Sequence, residues 1–330
     1  MSRKRVLGPE PIVRTQANTE VATEHSNNMS SGQQFQKHTS TTPSHAHNAP
    51  YRANQKSIDF AFKKLLEFRP RLYIPTQQRF PKNQWPELGI SCGHLEFDTG
   101  KVTPTTAQPA NGQSFLKLIS PEWMHKLALS SNLHKNYGPG TLHEYDNVNY
   151  QNAWRVANVI IRCLGSVYED KCLLINRTSW NDREPNDFEL YKLHTLEEGV
   201  NWSIPWLLQP KDRSLSHVNC FLAQDQSLDE DTLVFSEVWG ILMLTALISR
   251  GMPEPAQHTT KIVPVTMVSG SARNFRIVQG WVDGDAGKIR INKSPVMSLG
   301  NAKPITDKKV WNGVLNILRW LLAEPTGKIT

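Results

Sequence analysis

Apolar residues recur at helical spacing over 56–68. Ile58, Ala61, Phe62, Leu65 and Leu66 share one face there, and Lys56, Lys63 and Lys64 lie on the other side. Ser57 is placed to cap this helix, and Pro70, flanked by Arg69 and Arg71, to end it. Over 149–167 the apolar positions, from Trp154 to Val167, cover most of the circumference, which predicts a buried helix. Cys172 to Ile175 reads as a short interior strand, whereas 176–230 is polar, broken by proline and without an assignable period. A helix is predicted from about 232 to Arg250, ending at Gly251-Met252-Pro253, with Asp229, Glu230 and Asp231 complementing its N-terminal dipole. Three strands follow at 261–269, 275–282 and 287–292, the last two joined as a hairpin by Asp283-Gly-Asp-Ala-Gly287. An amphipathic helix over 307–323 closes the pattern before Pro325.

These elements divide the chain. Residues 1–55 are rich in Asn, Gln, Ser, Thr and His and nearly lack large aliphatics after Val21, so they are expected to be a disordered arm. Residues 56–112 read as a basic helix followed by a proline-rich, irregular stretch draped over the body. Residues 113–330 read as one folded α+β domain whose last part runs helix, three-strand antiparallel meander, helix.

Charge sharpens the division. The chain of 330 residues carries a net +7, and all of that excess lies early: residues 1–90 hold thirteen Lys and Arg against six Asp and Glu, while 91–330 hold twenty-four of each. A basic arm on a neutral body points to addressing or binding by the arm. Arg3-Lys4-Arg5 is the compact cluster, and Lys63, Lys64, Arg69 and Arg71 form a second one. Such clusters suit an acidic nuclear import receptor, or phosphates, with direct nucleic-acid contact left open. No helix-turn-helix, zinc-finger or basic-zipper pattern supports sequence-specific DNA reading. The N-terminal residues lack a secretory h-region, and the longest apolar run, 233–248, contains Glu237 and falls short of the ~20 residues of a membrane span. No membrane partner is expected, and the four cysteines, without framework spacing, read as thiols.

Candidate chemistry is sparse. Glu237 shares a helical face with Ile241, Leu244 and Ile248, so a carboxylate points where apolar neighbours point, and desolvated carboxyls mark functional sites. A metal-dependent, nuclease-like core would place it beside Asp283 and Lys288. The competing explanation is structural, with Glu237 reaching solvent or pairing with an arginine. Cys92, His94, His217 and Cys220 offer a two-sulfur, two-nitrogen zinc set, yet Cys-x-His is tight and the pairs are far apart in sequence. No Gly-x-Ser-x-Gly elbow, dinucleotide fingerprint or phosphate loop occurs, and neither cofactor nor metal is called for.

Four segments carry a resemblance: Glu237-Val-Trp-Gly-Ile-Leu-Met-Leu-Thr-Ala246, Val263-Pro-Val-Thr-Met267, Arg276-Ile-Val-Gln-Gly280 and Arg319-Trp-Leu-Leu-Ala-Glu-Pro-Thr-Gly327. They resemble a lineage-restricted filamentous-fungal family that includes the hypoxia-responsive morphology factor of subtelomeric gene clusters. The resemblance covers the last third of the chain and contains no catalytic signature. It implies a nuclear protein that influences gene expression, and thereby colony and biofilm morphology at low oxygen. The expected function is therefore a non-enzymatic nuclear regulator acting through a transcription-related protein partner. The alternatives are a diverged metal-dependent nuclease-like enzyme or a cytosolic scaffold module.

Overall fold

Strands that alternate faces at every residue build the centre of this protein, and helices cover both sides of them. The computed structural model describes residues 52–74, 77–103, 115–130, 149–165, 173–183, 202–252, 254–299 and 308–326. Arg3, Lys4, Arg5, the polar arm up to residue 51, Cys172 and the later part of the proline-rich stretch lie outside them. Residues Asn48–Thr330 form one compact unit.

The longer helices are α1 (Gln55–Phe68), α2 (Pro121–Ser130), α3 (Asn149–Leu164), α4 (Phe235–Gly251) and α5 (Lys308–Leu321), and a short helical segment spans Glu254–Thr259. The early strands are β1 (Arg79–Pro81), β2 (Ile90–Leu95), β3 (Val102–Thr103) and β4 (Leu116–Lys117). After them come β5 (Trp180–Arg183), β6 (Trp202–Pro210), β7 (Val218–Gln224) and β8 (Thr232–Val234). The last are β9 (Val265–Ser271), β10 (Asn274–Asp283), β11 (Lys288–Lys293), β12 (Met297–Ser298) and β13 (Glu324–Pro325). A nine-stranded mixed sheet runs β3-β2-β11-β10-β9-β7-β6-β5, with β12 also paired to β10. β2 lies parallel to β11 and β7 parallel to β9; the other neighbours are antiparallel.

Two apolar cores, one per face, follow from the period of two. Phe221, Ala223, Val268 and Ile277 face α3 and α5. Cys220, Leu222, Met267, Val278 and Ile291 face α4 and α1. Lying between the sheet and α1, α4 is buried almost all round. It is therefore the helix that the all-round apolar pattern describes. α3 departs from that expectation: Ala153, Val156, Ala157 and Ile160 are buried, but Trp154 is 42% exposed.

Other expectations change here too. Ser57 does not cap α1; its hydroxyl donates to the Val282 carbonyl at 3.0 Å and accepts from the Gly284 N–H at 3.2 Å, fastening α1 to the β10–β11 turn. A Cβ on Gly284 would lie 2.3 Å from the Ser57 nitrogen, so the turn needs glycine there. Thr232–Val234 is not helix but β8, paired with β1. Ile175 lies in a 3₁₀ turn over Leu174–Arg177 instead of an interior strand. The stretch 70–112 is not merely draped over the body, because β2 is a strand of the main sheet. The unassigned region 176–230 supplies β5, β6 and β7; Pro205 is accommodated where β6 shifts register between Ser203 and Trp206, since proline cannot donate to a ladder.

Candidate functional site

β7, β8, α4 and β9 form a crossover that returns the chain parallel to β7. In α/β sheets, ligands collect in the crevice beyond the carboxyl ends of such strands, beside a helix N-terminus. Here that place holds Glu237. It is the third residue of α4 and fully buried, and its Oε2 accepts the Val234 N–H at 3.0 Å, half of a capping box. Both of its oxygens also meet Arg276 of β10, with Nε to Oε1 at 2.8 Å and Nη2 to Oε2 at 2.5 Å. The remaining nitrogen of Arg276 donates to the carbonyls of Asp229 at 2.7 Å and Thr232 at 3.1 Å. Burial works against the charge on Arg276, but the Glu237 carboxylate outweighs it and raises the guanidinium pKa. The crevice is filled further by a chain of side chains: Ser236 donates to Gln224, and Gln224 to Ser269 at 2.8 Å.

Asp283 and Lys288 are not brought to Glu237. They face one another across the base of the β10–β11 hairpin. Asp283 lies seven residues beyond Arg276 on β10, about 23 Å along the strand at ~3.3 Å per residue. Asp283 takes the Ala286 N–H at 3.0 Å and pairs with Arg290 at 3.2 Å, so it shapes the turn; Lys288 is exposed. The basic group that does stand near Glu237 from β11 is Lys293, which carries no sequence signal of its own because the residue two positions earlier is Ile291 and not an acid. Lys293 is 7% exposed and donates to the Glu230 carbonyl; burial, with the charge of Arg276, lowers its pKa. Beside it, burial pushes the Cys92 thiol up to about 11 against the pull of Lys293 and Arg276.

The four zinc candidates are also dispersed. Cys92 and His94 sit on β2, Cys220 on β7 and His217 just before it. Four strand spacings separate β2 from β7, about 19 Å at ~4.8 Å each. No group of three metal-ligating side chains occurs among the described residues. Cys220 is fully buried and burial raises its pKa. His217 is 2% exposed, with no hydrogen bond to either ring nitrogen among the described residues. Burial lowers its pKa to about 4, opposed by the Phe115 backbone nearby.

In the second basic cluster, half of the charge is used by the fold. Lys64 pairs with Glu67 at 2.7 Å and lies 5.7 Å from the centres of the Phe60 and Phe68 rings. Arg71 stacks 5.1 Å from the Phe80 ring centre. Lys63 and Arg69 are exposed.

Another opening lies at the other end of the crossover, past the C-terminus of α4. It is a cleft of about 530 Å³ lined by Gln209, Arg213, Leu215, Ile248 and Met252 among others, with His217 in its wall. No family model, curated protein or solved structure matches the chain.

Proposed function

We propose that this chain is a non-enzymatic nuclear regulatory protein, with an arm that supplies the address and a body that binds a transcription-related protein partner. The carrying observation is the state of Glu237. The one carboxylate whose sequence position suggested chemistry has both oxygens committed to Arg276 and to the start of its own helix. A nuclease-like site needs that carboxylate free to hold a cation with other acids, and the side chains facing it from β10 and β11 include Arg276 and Lys293 instead. The charge asymmetry supports the address, and the family resemblance in the last third adds gene expression and low-oxygen colony and biofilm morphology.

Arg3, Lys4 and Arg5 are the receptor-binding cluster in this reading. A fluorescent fusion of the intact chain is expected in the nucleus, and replacing those three residues with Ala is expected to spread it through the cytoplasm. Equal nuclear signal from both versions would refute the role of the cluster, and a cytoplasmic intact fusion would refute the nuclear reading.

A further inference from the structure

The cleft beyond the C-terminus of α4 has no part in the pairing around Glu237, and its lining combines groups of opposite charge. The last turn of α4 contributes Ile248, Gly251 and Met252. The final carbonyls of a helix have no partner within it, and that end carries roughly half a negative elementary charge. Gln257 takes the carbonyls of Arg250 and Met252, whereas those of Ile248 and Gly251 accept no bond from outside the helix among the described residues. Asp182, which already has a partner of its own, adds a carboxylate to the lining.

Arg213 also lines the cleft. It is exposed and takes part in none of the ion pairs among the described residues. Leu215, Ile248 and Met252 add apolar atoms to the same lining. A plain cation would meet Arg213 unneutralised, and a plain anion would meet Asp182 and the negative end of α4. A small zwitterion satisfies both. The volume, about 530 Å³, falls within the range of small-molecule sites.

We propose that this cleft binds a free α-amino acid with an aliphatic side chain. Its ammonium lies against the α4 C-terminus and Asp182, its carboxylate on Arg213, and its side chain against Leu215, Ile248 and Met252. The site is independent of the nuclear reading, and either can fail without the other.

Titration calorimetry of the intact protein with leucine, leucinamide and isocaproate tests it. Leucinamide keeps the ammonium without the carboxylate, and isocaproate keeps the carboxylate without the ammonium. Leucine is expected to bind in the micromolar to low-millimolar range and both analogues about tenfold more weakly or worse, a step of one decade in Kd. Arg213→Met, at an exposed position, should weaken leucine about tenfold and leave leucinamide unchanged. Leucine that fails to bind at tens of millimolar overturns the proposal. So does an analogue that binds as tightly as leucine, or an Arg213→Met protein with unchanged leucine affinity.

Discussion

Removing the charge of Glu237 while keeping its shape separates a structural carboxylate from a catalytic one. In Glu237→Gln the guanidinium of Arg276 stays fully buried, loses its counter-charge, and has an amide N–H₂ facing it where an oxygen stood. Bonds to charged partners contribute about 1.5–3 kcal/mol each, and breaking one member of a buried pair costs about 3–5 kcal/mol. Arg276→Met should cost a similar amount by a second route. It strands the carboxylate and also releases the carbonyls of Asp229 and Thr232, which hold the approach to α4 and the β1–β8 pair. The double variant Glu237→Leu with Arg276→Met removes both charges and should cost far less than the sum of the single changes, because a buried pair is often replaceable by apolar residues of similar volume. Urea unfolding at constant slope measures all of these, and amide exchange over 229–236 reports the released loop in Arg276→Met. A Glu237→Gln protein within about 1 kcal/mol of the parent, or additive single losses in the double variant, would refute the reasoning.

Two further outcomes follow from burial. His217 titrates near 6.5 when unfolded and at about 4 when folded, so below 6.5 the unfolded chain binds more protons and stability falls as pH falls, while above 6.5 this contribution is flat. Between about pH 7 and pH 5 the loss is about 2 kcal/mol; His217→Phe should flatten that part of the profile in urea midpoints, and superimposable profiles would contradict it. Gly280 lies where β10 meets α4, and a Cβ there would fall 2.3 Å from Ile241 Cδ1. Gly280→Ala should therefore cost about 1–3 kcal/mol, with partial recovery when Ile241→Val removes that methyl; a neutral single change by thermal unfolding would sink the packing argument.

The legible parts of the fold were those whose period matched their surroundings. β9, β10 and β11 carry long apolar or alternating runs, and the Asp283–Gly287 turn between the last two has glycine at a φ of 57°. α1 and α5 each bury a stripe and their bounds follow it closely, except that Leu66, expected on the apolar face of α1, is 68% exposed. β6 and β7 were illegible for opposite reasons. In β6, Pro205 and Pro210 break the expected pattern, and only pairing across a register shift makes it a strand. In β7, every residue is buried because both faces are covered, so alternation disappears and Asn219 and Gln224 read as loop. Asn219 belongs inside because its amide caps the end of α5, donating to the carbonyls of Trp320 and Leu321 at 3.1 Å each. At the site, the partner of Glu237 was out of reach: thirty-nine residues separate it from Arg276, and only the crossover brings them together. The unusual carboxylate itself was visible, since a charge on an apolar helical face is a sequence signal whatever its partner.

The structure also redistributes the early excess of positive charge. Lys56 pairs with Asp285 at 2.6 Å, Arg79 with Asp229 at 3.4 Å and Lys64 with Glu67, while Arg71 lies over Phe80. Each of these cations faces a group of the folded body, so much of the basic character of residues 52–82 complements the sheet and its helices instead of presenting an open patch. Exposed pairs of this kind contribute at most about 1 kcal/mol each, and their consequence is more directional than energetic. An acidic receptor approaching α1 meets Lys63 and Arg69 interleaved with Asp59 and Glu67, a mixed surface that attracts weakly once salt screens it beyond about 8–10 Å. Arg3, Lys4 and Arg5 stand with no acid between them and the nearest one five positions on, at Glu10. In the proposed nuclear reading the address is therefore assigned to that triplet and not to the helix, and neutralising Lys63 and Arg69 should leave localisation where the intact chain puts it.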